Sequence, residues 1–116
     1  MTKAATKPMP ARALKALKAS IEKWRRNEAG DYRGIFTDTC PLCKLFHAAE
    51  NPKILEDDCC KKCPVYWRTG YSDCVNTPHS RVYHAWHDDG YASRKFRTAA
   101  KKEREFLESL LPKEAR

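Results

Sequence analysis

Two cysteine pairs constrain this chain more than any other feature. Cys40-Pro-Leu-Cys43 and Cys60-Lys-Lys-Cys63 are separated by sixteen residues, and Cys74 follows eleven positions after Cys63. Two residues between cysteines let the backbone turn so that both sulfurs face one point, and a second such pair completes a tetrahedron of thiolates. This spacing predicts a structural Zn2+ held by Cys40, Cys43, Cys60 and Cys63, with Cys74 as the substitute ligand. Four cysteines can also hold iron and sulfide, so an iron–sulfur cluster is the alternative cofactor; the spacing favours zinc. With Cys59 and Cys74 nearby there are more sulfurs than a tetrahedron needs, which argues against the open position of a catalytic zinc.

Six cysteines could instead pair as disulfides, a reading that requires an oxidising compartment. Residues 1–10 hold almost no large apolar side chain and do not read as a secretory signal. Nor does any run approach the roughly eighteen apolar residues of a membrane span. The expectation is a soluble, cytoplasmic, reduced protein with its thiolates on metal. At 116 residues the chain makes one domain. Its core looks thin, with 33% charged residues and a mean hydropathy of −0.78, so a metal that contributes folding energy suits it.

Along the chain, residues 1–10 read as a disordered basic lead-in and 11–116 as a single zinc-stapled domain with its knuckles at 40–63. A helix is predicted over 11–29 from Leu14, Leu17, Ile21 and Trp24 on one face, with Gly30 as its stop. Arg33-Gly-Ile-Phe-Thr reads as a short extended piece leading into the first knuckle. A helix over 42–50 follows, on which His47 reads as a surface or half-buried residue. Residues 68–72 read as a turn or loop. Thr77-Pro78 begins a helix reaching about 88, with Thr77 as cap, and a last helix spans about 93–111. His84 and His87, three residues apart, share a face of the fourth segment, a weak metal signal. The fold expected is an α-rich small zinc-binding domain. Its knuckles are of zinc-ribbon or treble-clef type, with N- and C-terminal helices and at most a minor β-hairpin.

The net charge of +8 belongs to the two arms. Residues 1–30 carry eight basic and two acidic groups, residues 31–78 six and seven, and residues 79–116 nine and six. Basic helices flanking a metal knuckle, together with aromatic side chains able to stack on bases, point to nucleic acid as partner. The residues expected to touch it are Lys15, Lys18, Arg25, Arg26, Arg94, Lys95, Arg97 and Lys101. An enzyme would need a histidine beside an open metal site and a nearby acid or base. His84, His87, Asp88 and Asp89 are the clustered candidates, and no Asp-His or His-Asn-His arrangement follows the first knuckle. No catalytic activity is expected.

Ser20-Ile-Glu-Lys-Trp24, Cys40-Pro-Leu-Cys43, Cys60-Lys-Lys-Cys63-Pro-Val, Cys74-Val-Asn-Thr-Pro78 and Phe106-Leu-Glu-Ser-Leu-Leu-Pro112 occur in this order. Together they resemble short cysteine-rich proteins encoded by bacteriophages. The resemblance implies that Cys40, Cys43, Cys60, Cys63 and Cys74 are the sulfur positions and that Cys59 is an addition. It also implies a host-cell cytoplasmic setting. The alternative function is then a non-catalytic interaction protein that binds and modulates a host or phage protein.

Overall fold

Helix α1 (Ala11–Glu28) buries Ala13, Leu17, Ile21 and Trp24, and a flanking strip of the same helix buries Ser20, Lys23 and Asn27. This is a computed structural model, and it describes residues 9–71, 74 and 77–112. The lead-in expected over 1–10 therefore lies, apart from Met9 and Pro10, outside the described residues; Met9 packs against the core. Arg25 and Arg26 occupy the last turn of α1, where cations suit the negative end of the helix dipole.

Three further segments were legible in kind. Helix α2 (Pro41–Phe46) stops four residues short of its expected end, because His47 leaves the helix with an extended backbone. Helix α4 (His79–Asp89) begins beneath Thr77, whose Oγ1 accepts the His79 amide at 3.2 Å and donates to the Cys74 carbonyl at 2.7 Å. Helix α5 (Arg94–Glu108) is capped by Ser93, which accepts the Phe96 amide at 3.0 Å. Helix α3 (Pro64–Thr69) was not expected at all. Short 3-10 turns lie at Thr37–Thr39 and Glu56–Asp58.

Helices α1 and α5 make the most extensive pairing in the fold, and they run antiparallel. Arg104 donates to Glu28 at 2.6 Å, Arg25 reaches Glu108 at 3.7 Å, and Tyr32, just past α1, rests on Phe96. Helix α4 packs on α5, and α2 packs on α1. Leu17, Val82, Phe96 and Ala100 form the fully buried centre, while Leu42, Phe46 and Val65 carry the core under the knuckles. No strand occurs among the described residues, in keeping with at most a minor β-hairpin. Among those residues, no helix is long and apolar enough to cross a membrane.

The segment expected to be extended is instead held by one side chain. Asn27, fully buried, donates to the Gly34 carbonyl at 3.0 Å and accepts the Arg33 amide at 2.5 Å, taking up the groups a strand would have paired. Gly34 sits at φ +94, and a β-carbon there would lie 2.6 Å from Thr39 Oγ1. Thr39 Oγ1 in turn accepts the Lys23 ammonium at 3.2 Å. Replacing Asn27 with alanine strands two buried backbone groups. We expect Asn27→Ala to cost about 2–3 kcal/mol in urea unfolding; a loss below about 0.5 kcal/mol would show that the loop is held otherwise.

Candidate metal centre

The same local device builds both knuckles. Cys40 precedes Pro41 and Cys63 precedes Pro64, and in each case the cysteine is the N-cap and proline the first helical residue. The sulfurs therefore sit against the unpaired amides of a first turn. Cys40 Sγ accepts the Cys43 amide at 3.3 Å, with the Leu42 amide also directed at it, whereas Cys63 Sγ makes no capping hydrogen bond although the Val65 and Tyr66 amides lie on its side. Such N–H donors favour the thiolate form that a metal requires. The repeated Cys-Pro pair was the available signal for α3.

These sulfurs face a cavity of about 130 Å³ between α1, α2, α3 and α5. Cys40, Cys43, Cys60, Cys63 and Cys74 all line it, but no three of their sulfurs lie within 4.8 Å of one another. Cys74 arrives there with a left-handed backbone (φ 60), its carbonyl tied to the start of α4 by Thr77. Three polar side chains that the sequence reading did not single out stand in the same wall: Ser20, Lys23 and Glu103. Ser20 Oγ and Glu103 Oε1 are buried with no hydrogen-bond partner among the described residues. Orphaned polar atoms of this kind ask for a polar occupant, and with five thiols around them the donor set fits a thiophilic metal.

The electrostatics of the cavity are set by burial and by one cation. A hydrogen bond from the Cys43 thiol, helped by the Lys23 ammonium, lowers Cys40 to about 6, while the same bond and burial push Cys43 upward. Burial raises Cys63 to about 11 and also raises Cys74. Burial raises Glu103 to about 8, the Cys40 sulfur adds to the rise and Lys23 opposes it. At pH 7 that carboxyl is therefore mostly protonated and able to donate. Burial lowers Lys23, against the pull of Cys40, Cys43 and Glu103. A buried ammonium beside several sulfurs offsets the charge that deprotonated cysteines would accumulate.

A second group of ligands lies beside this wall. Among the described residues, His47, Cys59 and Cys60 are the trio whose ligand atoms fall within 4.8 Å of one another. Neither His47 nor Cys59 was expected to be a ligand. His84 and His87 stand apart from this trio on the exposed face of α4, where His87 Nδ1 lies 3.1 Å from Asp88. His79 lines the cavity through a structural contact: its Nε2 donates to the Ile35 carbonyl at 2.8 Å, and burial holds its pKa down.

The eight basic residues expected to bind nucleic acid do not form one patch. Arg25 is paired with Glu22 at 2.8 Å, and Arg26 with Glu22 and Asp31, both at 3.2 Å. Lys95 lies 3.9 Å from Asp89. Lys15, Lys18, Arg94, Arg97 and Lys101 are exposed and make no ion pair among the described residues. Because α1 and α5 are antiparallel, Lys15 and Lys18 lie towards the opposite end of the pair from Arg94 and Arg97.

An aromatic band adjoins the beginning of α5. Tyr91 packs on Tyr32 with ring centres 4.7 Å apart, and burial raises the Tyr32 pKa while the nearby Trp86 indole opposes the rise. Phe36 meets Trp86 edge-on at 5.3 Å, and Tyr83 stacks on His87 at 6.0 Å. Phe36, Tyr83 and Tyr91 remain 46%, 40% and 49% exposed. Compared with known protein families, curated proteins and solved structures, the chain matches none.

Proposed function

We propose that this protein is a non-catalytic, zinc-stapled binding protein for single-stranded nucleic acid. The observation that carries the reading is the exposed aromatic band running from Tyr91 through Tyr32 and Trp86 to Phe36 and Tyr83. Arg94, Arg97 and Lys101 follow it directly along α5, all exposed. Aromatic faces stack on bases of any sequence, and neighbouring cations follow the phosphates. A band of exposed rings suits unpaired bases, which present their faces, better than a duplex, which hides them. Structural zinc is the proposed metal, one ion in the cavity held by Cys40, Cys43, Cys63 and Cys74. This four-ligand set leaves no open position for chemistry.

The test is fluorescence anisotropy of a labelled oligothymidylate at 50 and 200 mM salt. We expect binding that weakens steeply with salt. Tyr83→Ala combined with Phe36→Ala should weaken it about tenfold or more, since stacking contributes roughly 1–3 kcal/mol per base. Arg94→Glu with Arg97→Glu should weaken binding and flatten the salt slope. No binding at 50 mM salt, or binding indifferent to both pairs of substitutions, would remove this reading and favour a protein partner.

A further inference from the structure

We infer that His47, Cys59 and Cys60 form a second metal site, at the edge of the cysteine cavity, that takes a divalent cation of the zinc class. Three observations converge on this. The ligand atoms of the trio lie within 4.8 Å of one another. The Cys59 and Cys60 sulfurs are 3.6 Å apart, close to the edge of about 3.8 Å that a tetrahedron with zinc–sulfur bonds near 2.3 Å requires. Cys59 is not among the residues lining the large cavity, although His47 and Cys60 stand in its wall.

The backbone assembles the trio. The Cys60 amide donates to the Phe46 carbonyl at 2.8 Å, which brings the end of the 47–59 loop back against its beginning. Cys60 is held at φ 68, a left-handed conformation that costs a non-glycine residue of order 1–2 kcal/mol and persists where surroundings impose it. Successive amides then serve two of the ligands: Ala48 N–H donates to Cys59 Sγ at 3.4 Å and Ala49 N–H to His47 Nδ1 at 3.1 Å. A nitrogen that accepts an N–H carries a lone pair, and a lone pair is what a metal takes over.

Two thiolates with one imidazole select zinc-like cations over calcium or magnesium, which prefer oxygen. The exposed acidic run Glu56, Asp57 and Asp58 leads directly into Cys59 and favours the approach of a cation. Among the described residues these are the three ligands at hand, and zinc-class ions complete a tetrahedron with a fourth donor. This reading is independent of nucleic-acid binding, and it assigns Cys60 to this site and Cys74 to the cavity.

The experiment is a cobalt(II) titration of reduced protein, counting equivalents by the thiolate-to-cobalt absorption and repeating the count with zinc by elemental analysis. Wild type should bind two equivalents, and Cys59→Ser and His47→Gln one each, with the helical circular dichroism of the loaded protein retained. Cys43→Ser should lose the cavity metal and keep the one bound by the trio. A single equivalent in wild type that survives both Cys59→Ser and His47→Gln overturns the second site, as do two equivalents unchanged by either. One equivalent in wild type and none in those variants supports the second site and removes the cavity zinc instead.

Discussion

Stripping the zinc-loaded protein with excess chelator lowers its thermal midpoint by at least about 20 °C. The reason lies in how little else holds the knuckle half together. Helices α2 and α3 have six residues each, well below the roughly 12–15 residues at which isolated helices become even marginal in water. Among the described residues their core is small, chiefly Leu42, Phe46 and Val65. A structural zinc contributes of order 10 kcal/mol in small metal-folded domains, comparable with the whole stability of a typical domain, about 5–15 kcal/mol. Much of that depends on the metal reaching thiolates, so the loss on stripping should shrink as pH falls and cysteines hold their protons. Helices α1, α4 and α5 share their own apolar centre of Leu17, Val82, Phe96 and Ala100. Circular dichroism of the stripped protein should therefore retain part of its helical signal. Hydrogen exchange should accelerate first across residues 40–71. A melting curve that moves by less than about 2 °C on chelation would mean that the thiols do not carry a structural metal.

The parts of this fold that could be read in advance are those with a local physical signature. Helix α1 announced itself through Leu17, Ile21 and Trp24 and through Gly30 beyond its end, and α4 through Thr77 and Pro78. The two C-x2-C pairs likewise have a local spacing, and both pairs line the cavity. What remained hidden depends on contacts distant in sequence. The antiparallel order of α1 and α5, which separates Lys15 and Lys18 from Arg94 and Arg97, has no local signal. Nor has the docking of Cys60 on Phe46 that gathers His47 and Cys59. The extended piece expected at Arg33 to Thr37 pairs with no strand because the Asn27 side chain satisfies the backbone at Arg33 and Gly34. Glu103 occupies a middle ground. Phe96, Ala99, Ala100, Glu103 and Leu107 follow helical spacing on one buried face, so its position was legible. That a carboxyl would stand there facing sulfurs was not, because charge alone reads as surface. Ser20, Lys23 and Asn27 form a similar polar strip on α1, at intervals of three and four residues.

Phe96→Ala should cost about 3–5 kcal/mol, the range for removing a large aromatic side chain from a packed core. Phe96 has no exposed surface and sits in the first turn of α5, directly over the Ser93 cap. Its ring lies 6.0 Å from Tyr32, which in turn packs on Tyr91. The residue thus links the α1–α4–α5 core to the inner edge of the aromatic band, and truncation leaves a cavity that neighbours on α1 and α4 fill only in part. The same substitution touches none of the cysteines or His47. It should therefore lower the urea midpoint while leaving the number of bound metal equivalents unchanged at saturating cobalt. It should also weaken oligothymidylate binding by a few-fold, because Tyr32 loses the surface that sets its tilt. A stability loss below about 1 kcal/mol would show that the hydrophobic centre lies elsewhere. A fall in metal equivalents with the loaded protein still folded would show that the helical core and the metal half are one cooperative unit rather than two supports of the same site.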